Sequence, residues 1–297
     1  MKIIIFGKNG QLGWELQRSL NLIGKVYAFG KNVNVEDSID ITEQENVMRI
    51  INRLKPNIIV NAAAYTDVNG AELDYDRSYQ TNSLGPLYLA NIAKTHNALL
   101  IHFSTDYIFD GKKSDPYEEN DLPNPINNYG KTKLIGENYI KETGCNYLIL
   151  RVSWLYDNTR NNFLTTMYKL ALNAEEVTLV NDQFGTPTCV RLISDCLELL
   201  INKYKVDENI QETFHLAANG YCSWYDYGSY IFKTLHKNKI IEVMPKIRSV
   251  NSLDYKSIVM RPQNSRFNTN KLRDATNIIL PNWQCHVKYT LEQIIRD

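Results

Sequence analysis

No apolar run in this sequence approaches the roughly 20 residues that a membrane-spanning helix needs. Excess charge of either sign is also missing, with 33 Lys and Arg set against 33 Asp and Glu. That balance excludes the cationic surface expected of a nucleic-acid groove or an anionic-membrane binder. Basic pairs such as Lys112-Lys113 read as solvated loop. Cysteine is sparse and unpatterned: Cys145, Cys189, Cys196, Cys222 and Cys285 are odd in number and include no Cys-x-x-Cys. The expectation is reduced core thiols in a cytoplasmic protein. Internal repeats and low-complexity segments are absent too. At the N-terminus, Met1-Lys2 runs straight into Ile3-Ile4-Ile5-Phe6, too short for a signal peptide and readable as a buried strand.

What is present is a chain of 297 residues, 43% apolar, enough to bury a sizeable core in one large α/β domain or one large and one small. Short apolar strands are predicted over residues 2–6, 26–29, 58–60, 99–103 and 147–150. Helical patterns separate them: Trp14 to about Leu22, a segment reaching Leu54, residues 74–95, and the stretch carrying Tyr129 and Lys133. Thr42-Glu43-Gln44-Glu45 resembles a capping box for the helix that reaches Leu54. This alternation predicts an α/β fold, a Rossmann-type doubly wound parallel sheet that binds ligands at the carboxyl ends of its strands. After Arg151 the alternation becomes irregular, which predicts a smaller C-terminal substrate-binding lobe. The expected division is residues 1–154 for nucleotide binding, with additional sheet elements from about 191–218. Residues 155–297 form mainly the lobe, interleaved with the sheet.

Gly7-x-x-Gly10-x-x-Gly13 lies between the first strand and the first helix. Gly7 permits a tight turn, Gly10 lets a pyrophosphate approach the backbone, and Gly13 lets helix pack on strand. The second strand leads into Gly30-Lys31 where an acidic residue would bind the 2′-hydroxyl of NAD. A cation there suits the extra phosphate of NADPH, and NADH stays open. Tyr129 and Lys133 stand four residues apart, on one helix face. A lysine cation beside a phenol is expected to lower its pKa towards the range where it shuttles protons.

The Gly-x-x-Gly-x-x-Gly loop with Tyr129 and Lys133 resembles the extended short-chain dehydrogenase/reductases. Further stretches narrow this. Gly7-Lys-Asn-Gly-Gln-Leu-Gly13, Val60-Asn-Ala-Ala-Ala-Tyr-Thr66, Phe103-Ser-Thr-Asp-Tyr-Ile-Phe109 and Tyr129-Gly-Lys-Thr-Lys-Leu-Ile-Gly-Glu137 are similar to the dTDP-4-dehydrorhamnose reductase family. So are Arg151-Val-Ser-Trp-Leu-Tyr156, Asn181-Asp-Gln-Phe-Gly-Thr-Pro-Thr188 and Arg261-Pro-Gln-Asn-Ser-Arg266. The motifs run in order along essentially the whole chain.

The resemblance implies NADPH-dependent reduction of the C4 keto group of dTDP-4-dehydro-6-deoxy-L-mannose to dTDP-L-rhamnose, the last step of dTDP-rhamnose biosynthesis. It implies Thr105, Tyr129 and Lys133 as the catalytic set. Gly7, Gly10, Gln11, Leu12, Gly13, Lys31, Asp40, Ile41, Ala63, Ala64, Tyr65, Thr66 and Phe103 would join Tyr129 and Lys133 around the cofactor. Thr105, Asp106, Trp154, Asn162, Arg261 and Arg266 would meet the nucleotide sugar. Taken alone, Thr105 reads first as a cap of its own loop, and the two arginines could equally staple theirs. Val68-Asn69-Gly70 departs from the family pattern at the pocket rim. Glu15 matches a glutamate through which some members form a magnesium-linked dimer, but Arg191 stands where another would be needed, so no metal site is expected. Monomer and homodimer remain open. The alternatives are another nucleotide-sugar epimerase or 4-ketoreductase, or a non-catalytic NADP-binding regulatory subunit of the methionine adenosyltransferase type.

Overall fold

The computed structural model describes residues 1–31, 38–204 and 209–296. Six strands form the central sheet: β1 (Lys2–Phe6), β2 (Lys25–Phe29), β3 (Ile58–Asn61), β4 (Leu99–Thr105), β5 (Tyr147–Val152) and β6 (Gln211–Leu216). Their spatial order is β6-β5-β4-β3-β1-β2, and every pairing is parallel. The longer helices are α1 (Gln11–Leu20), α2 (Gln44–Leu54), α3 (Gly85–Thr95), α4 (Asn128–Thr143), α5 (Phe163–Asn173), α6 (Val190–Lys203), α7 (Trp224–Lys237) and α8 (Trp283–Arg296).

The inner strands β1, β3, β4 and β5 are buried almost end to end because both faces of the sheet are covered, whereas the edge strands β2 and β6 carry exposed polar residues. Alternate residues go to opposite sides. Ile3, Ile5, Ile58, Val60, Leu99, Ile101, Leu148 and Leu150 enter one core. Ile4, Phe6, Ile59, Leu100 and Ile149 enter the other. β2 and β3 flank β1 on opposite sides, so the order reverses at β1, and a crevice opens beyond the carboxyl ends of β1 and β3.

Three local expectations change. Helix α1 begins at Gln11, just after Gly10, rather than at Trp14. The capping box before α2 is not formed. Glu43 is its N-cap and makes no side-chain cap bond. Asp40 holds this turn instead, its carboxylate accepting the Thr42 amide at 3.1 Å and its carbonyl accepting the Glu43 amide at 3.0 Å. The predicted helix over 74–95 contains a π-helical turn, Gln80–Leu84, between Tyr75–Tyr79 and α3. An inserted residue of this kind leaves the apolar pattern readable but rotates the next turns of helix.

β6 lies beside β5 and is preceded by α6, while residues 205–208 of the expected 191–218 sheet region lie outside the described residues. Beyond β5 the chain also builds a two-stranded parallel pair, Glu176–Val180 with Lys246–Val250, and helices α5, α7 and α8. Ile231, Phe232, Trp283 and Val287 from these helices belong to the same continuous core as Ile3 and Leu99. All five cysteines are free; four are buried, whereas Cys285 on α8 is exposed rather than a core thiol. Among the described residues, no helix is long and apolar enough to cross a membrane.

Candidate active site

Gly7 turns the chain out of β1 with φ of +90°. A Cβ at that position would lie 2.6 Å from the Ala62 carbonyl carbon, so only glycine lets this turn abut the end of β3. A Cβ at Gly13 would lie 2.1 Å from the Gly7 carbonyl oxygen, which is how α1 closes onto the loop. Above Gly10 the nearest atom is the Gly7 oxygen at 3.4 Å, leaving a cradle that a side chain would fill. Gly10 is the N-cap of α1 and supplies no side-chain cap, so the positive end of the helix faces a cavity of about 340 Å³. Gln11, Leu12, Ala64, Thr66, Phe103, Tyr129 and Lys133 line that cavity.

The opposite wall runs along β3. The Asn61 side chain accepts the Ala63 amide at 3.2 Å. Asn82, on the π-helical turn, accepts the Tyr65 amide at 2.9 Å and donates to the Tyr65 carbonyl at 3.0 Å. Beyond β2, Lys31 is ion-paired with Asp40 at 2.6 Å. Burial pushes the Asp40 carboxyl up, but Lys31 and the Thr42 amide outweigh it and the net shift is downward. The Ile41 side chain is in the core beneath Gly85 and does not line the cavity.

Tyr129 and Lys133 lie on one face of α4, whose N-cap Asn127 accepts the Gly130 amide at 2.9 Å. The ammonium of Lys133 is directed at the Phe103 carbonyl, 2.6 Å away. Burial brings Lys133 down to about 8, with Glu137 opposing the fall. The expected lowering of the Tyr129 phenol does not occur. Burial drives it above its ordinary value, with the Thr105 hydroxyl pulling the other way, and Lys133 is not among the groups that shift it. The sequence shows the lysine beside the tyrosine, but not that the lysine nitrogen is turned to a carbonyl and the phenol is desolvated. A phenol that keeps its proton at neutral pH is an acid ready to donate.

Thr105, at the end of β4, donates to Asp106 Oδ1 at 3.0 Å and accepts the Tyr107 amide at 3.2 Å, so it also caps its own turn. Asp106 is buried, and its Oδ2 has no hydrogen bond of good geometry. Burial pushes its carboxyl up to about 6, against the Ser265 and Thr105 hydroxyls and the charge of Arg261. Tyr107 meets Tyr129 edge-on at 5.5 Å and contacts Arg261 Nη1 at 3.3 Å.

A second cavity of about 1120 Å³ adjoins this turn, lined by Lys112, Lys131, Phe163, Trp224, Arg261 and residues Leu253, Tyr255, Ile258, Val259 and Met260 among others. Of the residues expected at the sugar nucleotide, Arg261 reaches it. Three others are engaged within the fold. Trp154 stacks on Trp224 at 3.5 Å, and a Cβ at Gly185 would touch its indole at 2.4 Å, so it is clamped on both faces. Asn162 is the N-cap of α5 with a formed capping box, and its amide also reaches Gln11 at 3.2 Å. Arg266 donates to Asn264 and the Ser114 carbonyl and covers the Tyr221 ring at 4.7 Å. Those contacts are the ones the loop-stapling alternative expects. Arg160, which lines the smaller cavity and donates to the Asn9 carbonyl at 2.8 Å, carried no sequence signal. Lys131 sits inside the Tyr129–Lys133 motif, where its spacing gave it no separate signal.

The chain has close relatives of the same length. The family described as RmlD substrate binding domain matches residues 1–296. The dTDP-4-dehydrorhamnose reductase of Escherichia coli (strain K12) is 39% identical over 295 residues, covering 99% of this chain and 98% of that protein. The crystal structure of the dTDP-4-dehydrorhamnose reductase of Bacillus anthracis str. Ames in complex with NADP superposes with a TM-score of 0.88 at 33% identity, covering 98% of this chain and 99% of that one. The corresponding structure from Clostridium acetobutylicum ATCC 824 gives a TM-score of 0.89 at 35% identity, over 99% and 100% of the two chains.

Proposed function

Because the chain belongs to the dTDP-4-dehydrorhamnose reductase family, we propose that it reduces the C4 ketone of dTDP-4-dehydro-6-deoxy-L-mannose to the alcohol of dTDP-L-rhamnose, drawing on NADPH. The observation that carries this reading is the protonated Tyr129 phenol set one helical turn from Lys133, both in the wall of a crevice floored by the glycine loop.

The open space above Gly10 and the uncapped start of α1 fit a pyrophosphate. Bound there, NADPH supplies a hydride. Ala64, Thr66 and Phe103 would flank it, and Lys31, drawn from Asp40, would answer its 2′-phosphate. Tyr129 gives its proton to the substrate oxygen as negative charge develops there. Thr105, whose single hydroxyl proton is directed at Asp106 Oδ1, would turn it to that oxygen to hold it in line, and the neighbouring Asp106 Oδ2 would accept a sugar hydroxyl. Lys133, an ammonium below about pH 8, holds the proton that restores the Tyr129 phenol after the transfer. The larger cavity takes the nucleotide, with Arg261 and Lys131 as cations for its diphosphate and Trp224 and Phe163 as aromatic walls. The expected compartment is the cytoplasm.

Tyr129→Phe tests the assignment. The variant is expected to fold and to bind NADPH, and to lose at least ~100-fold in kcat, the typical cost of a missing general acid. Turnover of the 4-keto sugar nucleotide, followed at the nicotinamide absorbance, measures it. A near-native rate would remove Tyr129 from the chemistry.

A further inference from the structure

One buried imidazole next to the site has no part in the proposed chemistry. His102 on β4 is 1% exposed and sits opposite Asn61 of β3 in the sheet register. Its Nδ1 is 3.1 Å from Asn61 Nδ2, and its Nε2 is 3.4 Å from Lys133 Nζ. The orientation of the Asn61 amide is fixed by its other contact. A backbone N–H can only donate, so the atom 3.2 Å from the Ala63 amide is the Asn61 oxygen. The amide NH₂ therefore faces His102 and donates to Nδ1. A neutral imidazole with Nδ1 accepting carries its proton on Nε2, so that proton points at Lys133.

An Nε2–H cannot bond to an ammonium, which has only donors. It can bond to the lone pair of a neutral amine. We infer that His102 is a positioning residue for Lys133: held in the Nε2–H tautomer by Asn61, it stabilises the deprotonated amine that Lys133 becomes when it lends its proton during turnover.

The inference rests on the proposed reductase chemistry. Tyr129 loses its proton to the substrate oxygen, Lys133 passes a proton to the resulting phenolate, and the freed lone pair on Nζ accepts from His102 Nε2–H. Uptake of a proton from solvent restores the ammonium and releases that bond. No electrons move in these steps. Burial and the charge of Lys133 hold His102 neutral, well below its ordinary range. The other titratable group acting on the pair is Glu137 on α4, itself neutralised by Arg151 of β5 through bonds of 3.1 and 2.9 Å. A purely structural histidine would hold the same tautomer but leave the ionisation of Lys133 unaffected.

The first test needs no cofactor or substrate. Nitrogen-15 NMR of histidine-labelled protein at neutral pH should show His102 protonated on Nε2 and unprotonated on Nδ1. Protonation on Nδ1 would overturn the inference. The second test uses Asn61→Asp, whose carboxylate accepts from Nδ1 and so flips the tautomer. It should show the flipped NMR signature, an alkaline limb of kcat displaced upward by about one pH unit, and a kcat at neutral pH lowered about 10-fold. The third compares His102→Leu with His102→Gln. The leucine variant should lose about 10-fold in kcat with the KM for the sugar nucleotide little changed, and glutamine, which keeps a donor near Nε2, should recover most of it. Equal kcat and unshifted pH profiles in Asn61→Asp and His102→Leu would overturn the inference. Failure of the native protein to reduce any 4-keto sugar nucleotide would instead overturn the reductase reading, because the tautomer measurement stands without turnover.

Discussion

Asp106 and Lys133 bracket the working pH. Burial raises the Asp106 carboxyl to about 6, so its charged form exists above that value and is lost as pH falls through it. Burial lowers Lys133 to about 8, so its ammonium exists below that value and is lost as pH rises through it. If catalysis needs the carboxylate to accept a sugar hydroxyl and the ammonium to hold and return a proton, kcat/KM is a bell. Its limbs should fall near pH 6 and pH 8 in the free enzyme. Asp106→Asn should erase the acid limb and leave the alkaline one. A profile flat from pH 5 to 7 in the native enzyme would remove Asp106 from that role. At this scale the sequence revealed the identities and spacing of Thr105, Tyr129 and Lys133, because a motif preserves both. It hid their environments. The depth of Tyr129, the partner of Lys133 Nζ and the capping duty of Asn162 all depend on residues distant in the chain.

Helix α4 illustrates why an element can be found without being understood. Its buried face is Gly130, Thr132, Lys133, Gly136, Glu137 and Ile140, a stripe with one large apolar side chain, so apolar periodicity is a poor guide to it. The catalytic spacing located it instead. The small residues let the backbone come close. A Cβ at Gly136 would lie 2.2 Å from the Asn82 carbonyl oxygen of the π-helical turn, and one at Gly130 would lie 2.1 Å from the Tyr107 carbonyl oxygen. The N-cap of α4 does two jobs. Asn127 Oδ1 accepts the Gly130 amide, and its Nδ2 donates to the Met260 carbonyl at 2.9 Å, tying the helix of Tyr129 and Lys133 to the segment over the larger cavity. The two jobs can be separated. Asn127→Ser keeps a capping oxygen but loses the Met260 contact, so Tm should hold while the KM for the sugar nucleotide rises severalfold. Asn127→Ala loses both, adding about 1 kcal/mol of destabilisation. Unchanged KM in both variants would show that the Met260 tether has no part in substrate binding.

In the molecule as a whole, one of the two cores crosses the expected seam. The face of the sheet holding Ile3, Val60 and Leu99 runs without interruption into Ile231, Phe232, Leu235, Trp283 and Leu291 of the C-terminal helices. Polar ties cross the same boundary. Arg160 and Asn162 reach the glycine loop, and Asn264 donates to the Lys113 carbonyl at 2.7 Å. A division near residue 154 read from the sequence tracks the change from regular to irregular alternation. The strand pattern cannot show that the later segments pack back onto the first half, because that information lies in long-range contacts. Burial shared across a boundary couples the two sides, since neither can open without exposing apolar surface of the other. We therefore expect a single cooperative unfolding transition, with calorimetric and van't Hoff enthalpies equal. NADPH at about 100 times its Kd should add about 2.7 kcal/mol and move the entire transition upward by several degrees. Two transitions, of which only the earlier-sequence half responds to NADPH, would show instead that the lobe folds on its own and that the shared core is only a contact surface.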